Sequence, residues 1–150
     1  MIKFSLTKNI RKSYQPKYQE ISLWIKKSLI TSYNYVNIDI IIVSAEKSQE
    51  LNLHFRNKDY PTNVIAIEYQ NANKQLNLLY GELFLCDAVI VSEASKQQKN
   101  ILTHYAHMII HGMLHIQGLD HQNLHDRNIM EYLEIKILQE LNFANPYVIA

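Results

Sequence analysis

The stretch His111-Gly-Met-Leu-His115-Ile-Gln-Gly-Leu-Asp-His121 carries three histidines, two of them four residues apart. At about 3.6 residues per turn and about 1.5 Å of rise per residue, His111 and His115 project from one face of a helix, about 6 Å apart along its axis. Gly118 leaves a helix easily because it can take positive φ without a Cβ clash. We therefore predict that the turn after the helix brings His121 back toward the other two histidines.

Three neutral imidazoles on a helix and its C-terminal turn are a typical donor set for Zn²⁺ with one open position. We predict one Zn²⁺ ion bound by His111, His115 and His121, although three imidazoles also suit other divalent first-row ions. The open position favours a catalytic role for the ion. The alternative is a cluster of hydrogen-bonded structural histidines, since six of the seven histidines lie between positions 104 and 125.

Gly112 stands where a zinc peptidase carries its general base. The peptidase helix reads H-E-x-x-H, and its glutamate takes the proton from water. Glycine has no group that can accept a proton. The sequence therefore argues against peptide hydrolysis by that route, although the metal geometry would be similar.

The run from His107 to His121 closely resembles the signature of the YbeY family, H-x₃-H-G-x-L-H-x₂-G-x-D-H. Other matches extend the resemblance over residues 36–140. They are Leu51-Asn52, Phe55-Arg56, Thr62-Asn63-Val64, Ser92-Glu93-Ala94, Met130-Glu131 and Glu134. Two segments depart from the family pattern: Ile65-Ala66-Ile67 stands where Leu-Ser-Phe is usual, and Gly81-Glu82 where Gly-Asp is commoner.

The resemblance implies a metal-dependent endoribonuclease that acts on single-stranded RNA in maturation of the 16S rRNA 3′ end and in ribosome quality control. It also implies that Arg56, His111, His115 and His121 are catalytic. A guanidinium is always charged and can bind phosphate oxygens in pairs, so Arg56 suits the charge that develops on phosphate. The implied partners are the ribosome or its small subunit, ribosomal proteins and assembly GTPases.

The roles of two further residues stay open at this stage. His107 could contact a metal ligand without binding the metal, act as an acid or base, or contact the substrate. Alternatively, it is a hydrogen-bonded core histidine. Asp120 either hydrogen-bonds a ligand imidazole or serves as a turn residue. The nucleophile is either water or the 2′-hydroxyl of the substrate itself.

Strands alternate with helices along the chain, which predicts a small sheet packed with helices. The resemblance implies an α+β (α/β) fold in a single domain, 1–150, with a mixed, mainly parallel four-stranded sheet and the metal-binding helix at its centre. Predicted strands cover residues 2–6, 36–43, 64–67 and 81–91, and residues 70–77 form a loop or hairpin tip. Predicted helices begin at Pro16 and cover residues 46–54, 92–117 and 125–142. The last carries an apolar stripe of Ile129, Leu133, Ile137, Leu138 and Leu141.

Net charge is +1, so composition alone gives no sign of nucleic-acid binding. Seven of the fifteen Lys and Arg residues lie in segment 1–35, with Glu20 its only acid, and this basic segment could bind a phosphate backbone. Cys86 is the only cysteine, and neither an export signal nor an apolar run of membrane-spanning length is found. We therefore expect a cytoplasmic protein. Two alternatives remain: a metal-dependent hydrolase of another class, and a non-catalytic ribosome-assembly factor with a structural metal.

Overall fold

A computed structural model describes residues 1–69 and 76–148 of the chain. The strands are β1 (Ile2–Lys8), β2 (Tyr35–Val43), β3 (Val64–Glu68) and β4 (Leu78–Cys86). The helices are α1 (Tyr18–Lys27), α2 (Ala45–Arg56), α3 (Asp87–Lys96), α4 (Ile101–Ile116) and α5 (Leu124–Glu140). The loop predicted at 70–77 lies outside the described residues except for positions 76 and 77.

The four strands form one mixed sheet in the order β1-β2-β4-β3. β2 runs parallel to β1 and to β4, whereas β3 is antiparallel to β4. The α+β fold and the mainly parallel sheet are therefore confirmed. β2 is rich in Ile and Val, and its even-numbered positions from Val36 to Ile42 are almost fully buried, as expected for a central strand.

α4 is the central helix of the domain, as predicted. It packs against α1, α3, α5, β3 and β4, and eleven of its residues are buried, from His104 to Ile116. Two glycines allow close packing: a Cβ on Gly112 would lie 2.7 Å from Leu83 Cδ2, and one on Gly81 would lie 2.8 Å from Ile116 Cδ1. This approach holds the histidine-bearing helix against the sheet.

The predicted strand 81–91 was wrong at its C-terminal end, because the chain turns into a helix at Asp87. The β-branched residues after Asp87 favour a strand, but tertiary contacts of its carboxylate prevail. That carboxylate is 5% exposed and accepts hydrogen bonds from Tyr14 (2.5 Å), Gln15 Nε2 (3.0 Å) and Tyr105. The predicted start of the next helix at residue 92 was wrong for the same reason.

The predicted helix 92–117 is interrupted in the structure between Lys96 and Ile101, where Gln98 has a φ of 55°. Asn100 then caps α4, and its Oδ1 accepts a hydrogen bond from the Leu102 backbone N–H at 2.8 Å. Pro16 was wrong as the first residue of a helix. α1 begins at Tyr18, after Lys17, whose N–H donates to Glu20 Oε1 at 2.9 Å.

The stripe predicted on α5 was only partly right. Ile137 and Leu138 are buried, but Ile129 is 41% exposed, and Leu133 and Leu141 are half-buried. The buried face is completed instead by Met130 and by the carboxylate of Glu134. Hydrogen bonds from the histidines of α4 draw that carboxylate inward.

Candidate functional site

A cleft of about 570 Å³ lies between the end of α2, β3 and the C-terminal half of α4. Its lining includes all four residues predicted to be catalytic, Arg56, His111, His115 and His121. The remaining residues of the lining are Lys58, Thr62, Asn63, Val64, Ala66, Gly112, Asp120 and Gln122. The structure therefore brings the predicted site residues together, while their roles stay predictions.

The histidines converge because α4 ends where the sequence predicted. Gly118 has a φ of 101°, and its N–H donates to the His115 carbonyl at 3.0 Å. The reversed chain returns His121 to the helix, so that its ring centre lies 5.3 Å from that of His111. His111 and His115 are half-buried, whereas His121 is exposed. Helix periodicity and one left-handed glycine thus account for the cluster.

Within residues 1–69 and 76–148, no three His, Cys, Asp or Glu side chains have the spacing of a metal site as they stand. The chemistry of the donor set fits a metal ion nonetheless. Three imidazoles line the same cleft, and the Nδ1 of His111 hydrogen-bonds Glu134 Oε2 at 2.6 Å. This contact leaves Nε2 as the free nitrogen of His111, and ligand histidines commonly have such a carboxylate partner.

Glu134 is the buried acid that joins two histidines of α4. It is fully buried, and its Oε1 lies 2.8 Å from His107 Nε2 while its Oε2 contacts His111. Burial raises the pKa of Glu134, but hydrogen bonds from His107 and His111 outweigh it and hold the pKa at about 2. Glu134 is therefore an ionised acceptor, and both imidazoles donate to it.

This network explains the environment of His107, which does not line the cleft. The side chain is 5% exposed, and its Nε2–H donates to Glu134. Burial lowers the pKa of His107, although Glu134 opposes that effect. A neutral ring that donates through Nε2 has a bare Nδ1, which matches the buried Nδ1 that has no hydrogen-bond partner in the described structure. His107 is thus a core histidine that contacts the partner of His111.

The metal-free protein is expected to lose stability as the pH falls below 6.5. The unfolded chain protonates His107 near its ordinary pKa of 6.5, whereas the folded chain resists because that pKa is lowered. The free energy of unfolding therefore falls as the pH decreases. The total loss from His107 is about 1.4 kcal/mol for each pH unit that separates its folded pKa from its unfolded pKa. Glu134 adds a further loss below pH 4.5, because its folded pKa is about 2. Urea unfolding with chelator at pH 7.5, 6.0 and 5.0 measures the decline.

His107→Gln should make that profile less steep between pH 7.5 and 5.0, because it removes one of the groups whose pKa is lowered in the folded chain. His125→Gln is the matched control, since His125 is exposed on α5. The explanation is wrong if the profile of His107→Gln stays as steep as that of the wild type.

Two cations flank the histidines in the cleft. Arg56 is exposed at the end of α2, where Asn57 ends the helix with a φ of 58°, and Lys58 follows. Burial lowers the pKa of His115, and the charge of Asp120 opposes this effect while Arg56 adds to it. None of the seven basic residues of segment 1–35, all of which the structure describes, lines this cleft.

Asp120 acts here as a turn residue. Its Oδ1 accepts a hydrogen bond from the His121 backbone N–H at 2.7 Å, which fixes the turn that carries His121. Its negative charge also lies close enough to His115 to oppose the lowering of that pKa. Among the described residues, no imidazole donates a hydrogen bond to Asp120.

A second network supports the floor of the cleft at Asn63. The Asn63 Nδ2 donates to both oxygens of Glu93, at 3.1 and 3.3 Å, and its Oδ1 accepts from the Val64 N–H at 2.7 Å. Glu93 in turn accepts from the buried His104, whose Nε2 lies 2.9 Å away. His104 is thus a core residue, and the Thr62-Asn63-Val64 segment is tied to α3 and α4.

Two residues of the site escaped a functional assignment from sequence. Glu134 was noted only as part of the family pattern; its signal was a single acid on the otherwise apolar face of α5. Tyr147, whose hydroxyl donates to Glu134, gave no signal, because it lies beyond the last helix.

Among the described residues, no helix combines the length and the apolar character needed to cross a lipid bilayer. Cys86 is buried and free.

Comparison with known proteins gives consistent matches. The family model described as Endoribonuclease YbeY matches residues 2–142. The Endoribonuclease YbeY of Buchnera aphidicola subsp. Baizongia pistaciae (strain Bp) is 40% identical over 138 residues, which cover 90% of this chain and 88% of the relative. That of Verminephrobacter eiseniae (strain EF01-2) is 42% identical over 127 residues, covering 85% and 78%.

A solved structure shares the fold. The solution structure of TM1509 from Thermotoga maritima superposes with a TM-score of 0.54 at 20% sequence identity, covering 95% of this chain and 92% of that protein. At this identity the match bears on the architecture alone.

Proposed function

The chain belongs to the YbeY family of endoribonucleases, and from this premise we propose that it cleaves single-stranded RNA with the help of a bound divalent metal ion. The observation that supports the proposal is that three histidines and Arg56 line the same cleft. We further propose that its substrate is ribosomal RNA, with the 3′ end of 16S rRNA as the target, and that it acts in ribosome quality control.

His111, His115 and His121 would hold the metal, with Zn²⁺ as the first candidate. When bound, such an ion polarises a phosphoryl oxygen and makes water more acidic. The donor set supports this assignment, because the Nδ1 of His111 is already engaged by Glu134 and its Nε2 remains free. The charge of Glu134 also makes the imidazole of His111 a stronger electron donor.

The other cleft residues suit phosphodiester cleavage. The Arg56 guanidinium can bind two phosphate oxygens and stabilise the charge that develops on them in the transition state. Lys58 adds a second cation to the lining of the cleft. A single strand can present its phosphate to such an open cleft, whereas a duplex holds its bases stacked and paired.

The proposed partners are the small ribosomal subunit, its proteins and the GTPases of ribosome assembly, in the cytoplasm. A free, buried cysteine supports that location, because it suits a reducing compartment. The subunit would present the 3′ end of its RNA as a single strand.

The proposal is tested with purified protein and an unstructured RNA that carries the 3′ region of small-subunit rRNA. We expect cleavage that a chelator abolishes and added zinc restores. Arg56→Ala should lower the rate by about a hundredfold, the effect of removing one group that stabilises transition-state charge. Arg56→Lys should recover part of it, because a lysine keeps the charge without the paired hydrogen bonds.

Arg11→Ala is the matched control, since it removes an exposed arginine of the basic N-terminal segment that does not line the cleft. Equal losses in Arg56→Ala and Arg11→Ala would contradict the placement of the phosphate in the cleft. Absence of cleavage by metal-loaded protein, with or without small subunits, would favour a non-catalytic assembly factor.

A further inference from the structure

The C-terminal tail returns to the site and places Tyr147 on Glu134. The tyrosine hydroxyl donates to Glu134 Oε1 and lies 3.2 Å from His107 Nε2. Because Glu134 also accepts from His111 Nδ1, a chain of contacts runs from Tyr147 through Glu134 to a proposed metal ligand. We propose that Tyr147 is a positioning residue that fixes Glu134 and thereby holds His111 ready to bind the metal through Nε2. The proposal rests on the metal site of the proposed function.

The tail that carries Tyr147 is tied to the domain at two points before it. Phe143 donates its backbone N–H to the Leu138 carbonyl at 2.8 Å, and its ring meets Trp24 edge-on at 6.0 Å between centres. Asn145 Oδ1 then accepts from the Tyr147 N–H at 2.9 Å, which turns the chain back toward α4. The position of the hydroxyl is therefore set by the fold of the tail.

Glu134 needs this donor because it is ionised and fully buried. His111 donates to Oε2, whereas Oε1 is shared by His107 and Tyr147. Without the tyrosine hydroxyl, Oε1 is less well satisfied, and the carboxylate can rotate to bring Oε1 closer to its remaining donor, His107. Such rotation would move Oε2 away from Nδ1 of His111. The hydrogen bond between these two atoms is the contact that selects the tautomer of His111.

The tyrosine is suited to be a permanent donor. Burial and the charge of Glu134 raise the pKa of Tyr147, so that its hydroxyl stays protonated at physiological pH. Its ring also packs edge-on against His107, with centres 5.4 Å apart. Tyr147→Phe would keep this ring contact and remove only the hydroxyl, which separates positioning from packing.

The test compares Tyr147→Phe with Tyr132→Phe, a matched change on α5 at a tyrosine that is 64% exposed. Zinc affinity of the purified protein is measured by competition with a chromophoric chelator. We expect Tyr147→Phe to weaken zinc binding by about tenfold, near the low end of the effects seen for partners of metal ligands. Tyr132→Phe should bind zinc like the wild type.

A second measurement uses the metal-free protein and needs neither zinc nor RNA. Nitrogen-15 NMR of the imidazoles should show His111 with its proton on Nδ1 in the wild type and a mixture of tautomers in Tyr147→Phe. Wild-type zinc affinity together with an unchanged His111 tautomer in Tyr147→Phe would overturn the proposal. So would a lower melting temperature without either change, because it would mean a purely structural role.

These readouts separate the two proposals. A protein that binds zinc but cleaves no RNA would refute the proposed activity and leave the role of Tyr147 standing. If the wild type binds no zinc, the metal site fails, and the tautomer of His111 alone decides whether Tyr147 positions it.

Discussion

Replacing His115 with alanine is expected to lower metal-dependent RNA cleavage by about a thousandfold, equivalent to about 4 kcal/mol of transition-state stabilisation. His115 is one of the three imidazoles in the cleft, and two remaining donors cannot fix the ion in a catalytic geometry. The comparison of first-order rates at saturating protein, with zinc added in excess of the wild-type requirement, measures the loss. Zinc affinity should fall in parallel.

The fold should survive this substitution. His115 lies near the end of α4, is half-buried, and makes no side-chain hydrogen bond among the described residues. Alanine also has the highest helix propensity, so the melting temperature of the metal-free variant should equal or exceed that of the wild type. His54→Ala, on the exposed side of α2, is the matched control. Full cleavage by a folded His115→Ala protein would remove the three-histidine site from the mechanism.

The features of the site that could be predicted from sequence are those that depend on residues close together in the chain. The spacing of His111 and His115 and the positive φ of Gly118 depend on local backbone geometry, and the structure reproduces both. Arg56 was predicted to belong to the site only because of the family resemblance, since no local rule places the end of α2 beside α4. The mixed, mainly parallel character of the sheet came from the resemblance for the same reason.

The residues that were missed depend on contacts between distant segments. Glu134 meets His111 across 23 positions, and Tyr147 meets His107 across 40. In a periodic pattern, an acid on an apolar face interrupts the hydrophobic stripe. In the structure this acid, Glu134, accepts hydrogen bonds from two histidines. Asp87 shows the same effect on secondary structure, because its buried hydrogen bonds start α3 where β-branched residues favour a strand.

The absence of the peptidase glutamate at position 112 has a structural reason, and it leads to a second strong prediction. A Cβ on Gly112 would lie 2.7 Å from Leu83 Cδ2 and 3.3 Å from Val64 Cγ2. Leu83 is fully buried in β4 and Val64 is 5% exposed, so their methyl groups would have to shift within packed surroundings to admit a Cβ. Glycine suits this position because α4 crosses the sheet at close range.

Gly112→Glu, which restores the H-E-x-x-H spacing, is therefore expected to unfold the protein rather than create a peptidase. Overpacking a core costs about 1–3 kcal/mol, and burying an unpaired carboxylate adds several more. A loss of at least about 4 kcal/mol is a large part of the roughly 5–15 kcal/mol that stabilises a typical domain. Circular dichroism and thermal unfolding of the purified variant measure the loss, beside an assay with a generic peptide substrate.

Gly112→Ala provides the graded control. It introduces only the Cβ, and its gain in helix propensity of about 1 kcal/mol partly offsets the clash, so its destabilisation should be clearly smaller than that of glutamate. A Gly112→Glu protein that melts at the wild-type temperature would show that α4 can lift from the sheet. Close packing against Leu83 would then no longer explain why glycine, and not glutamate, follows His111 on this helix.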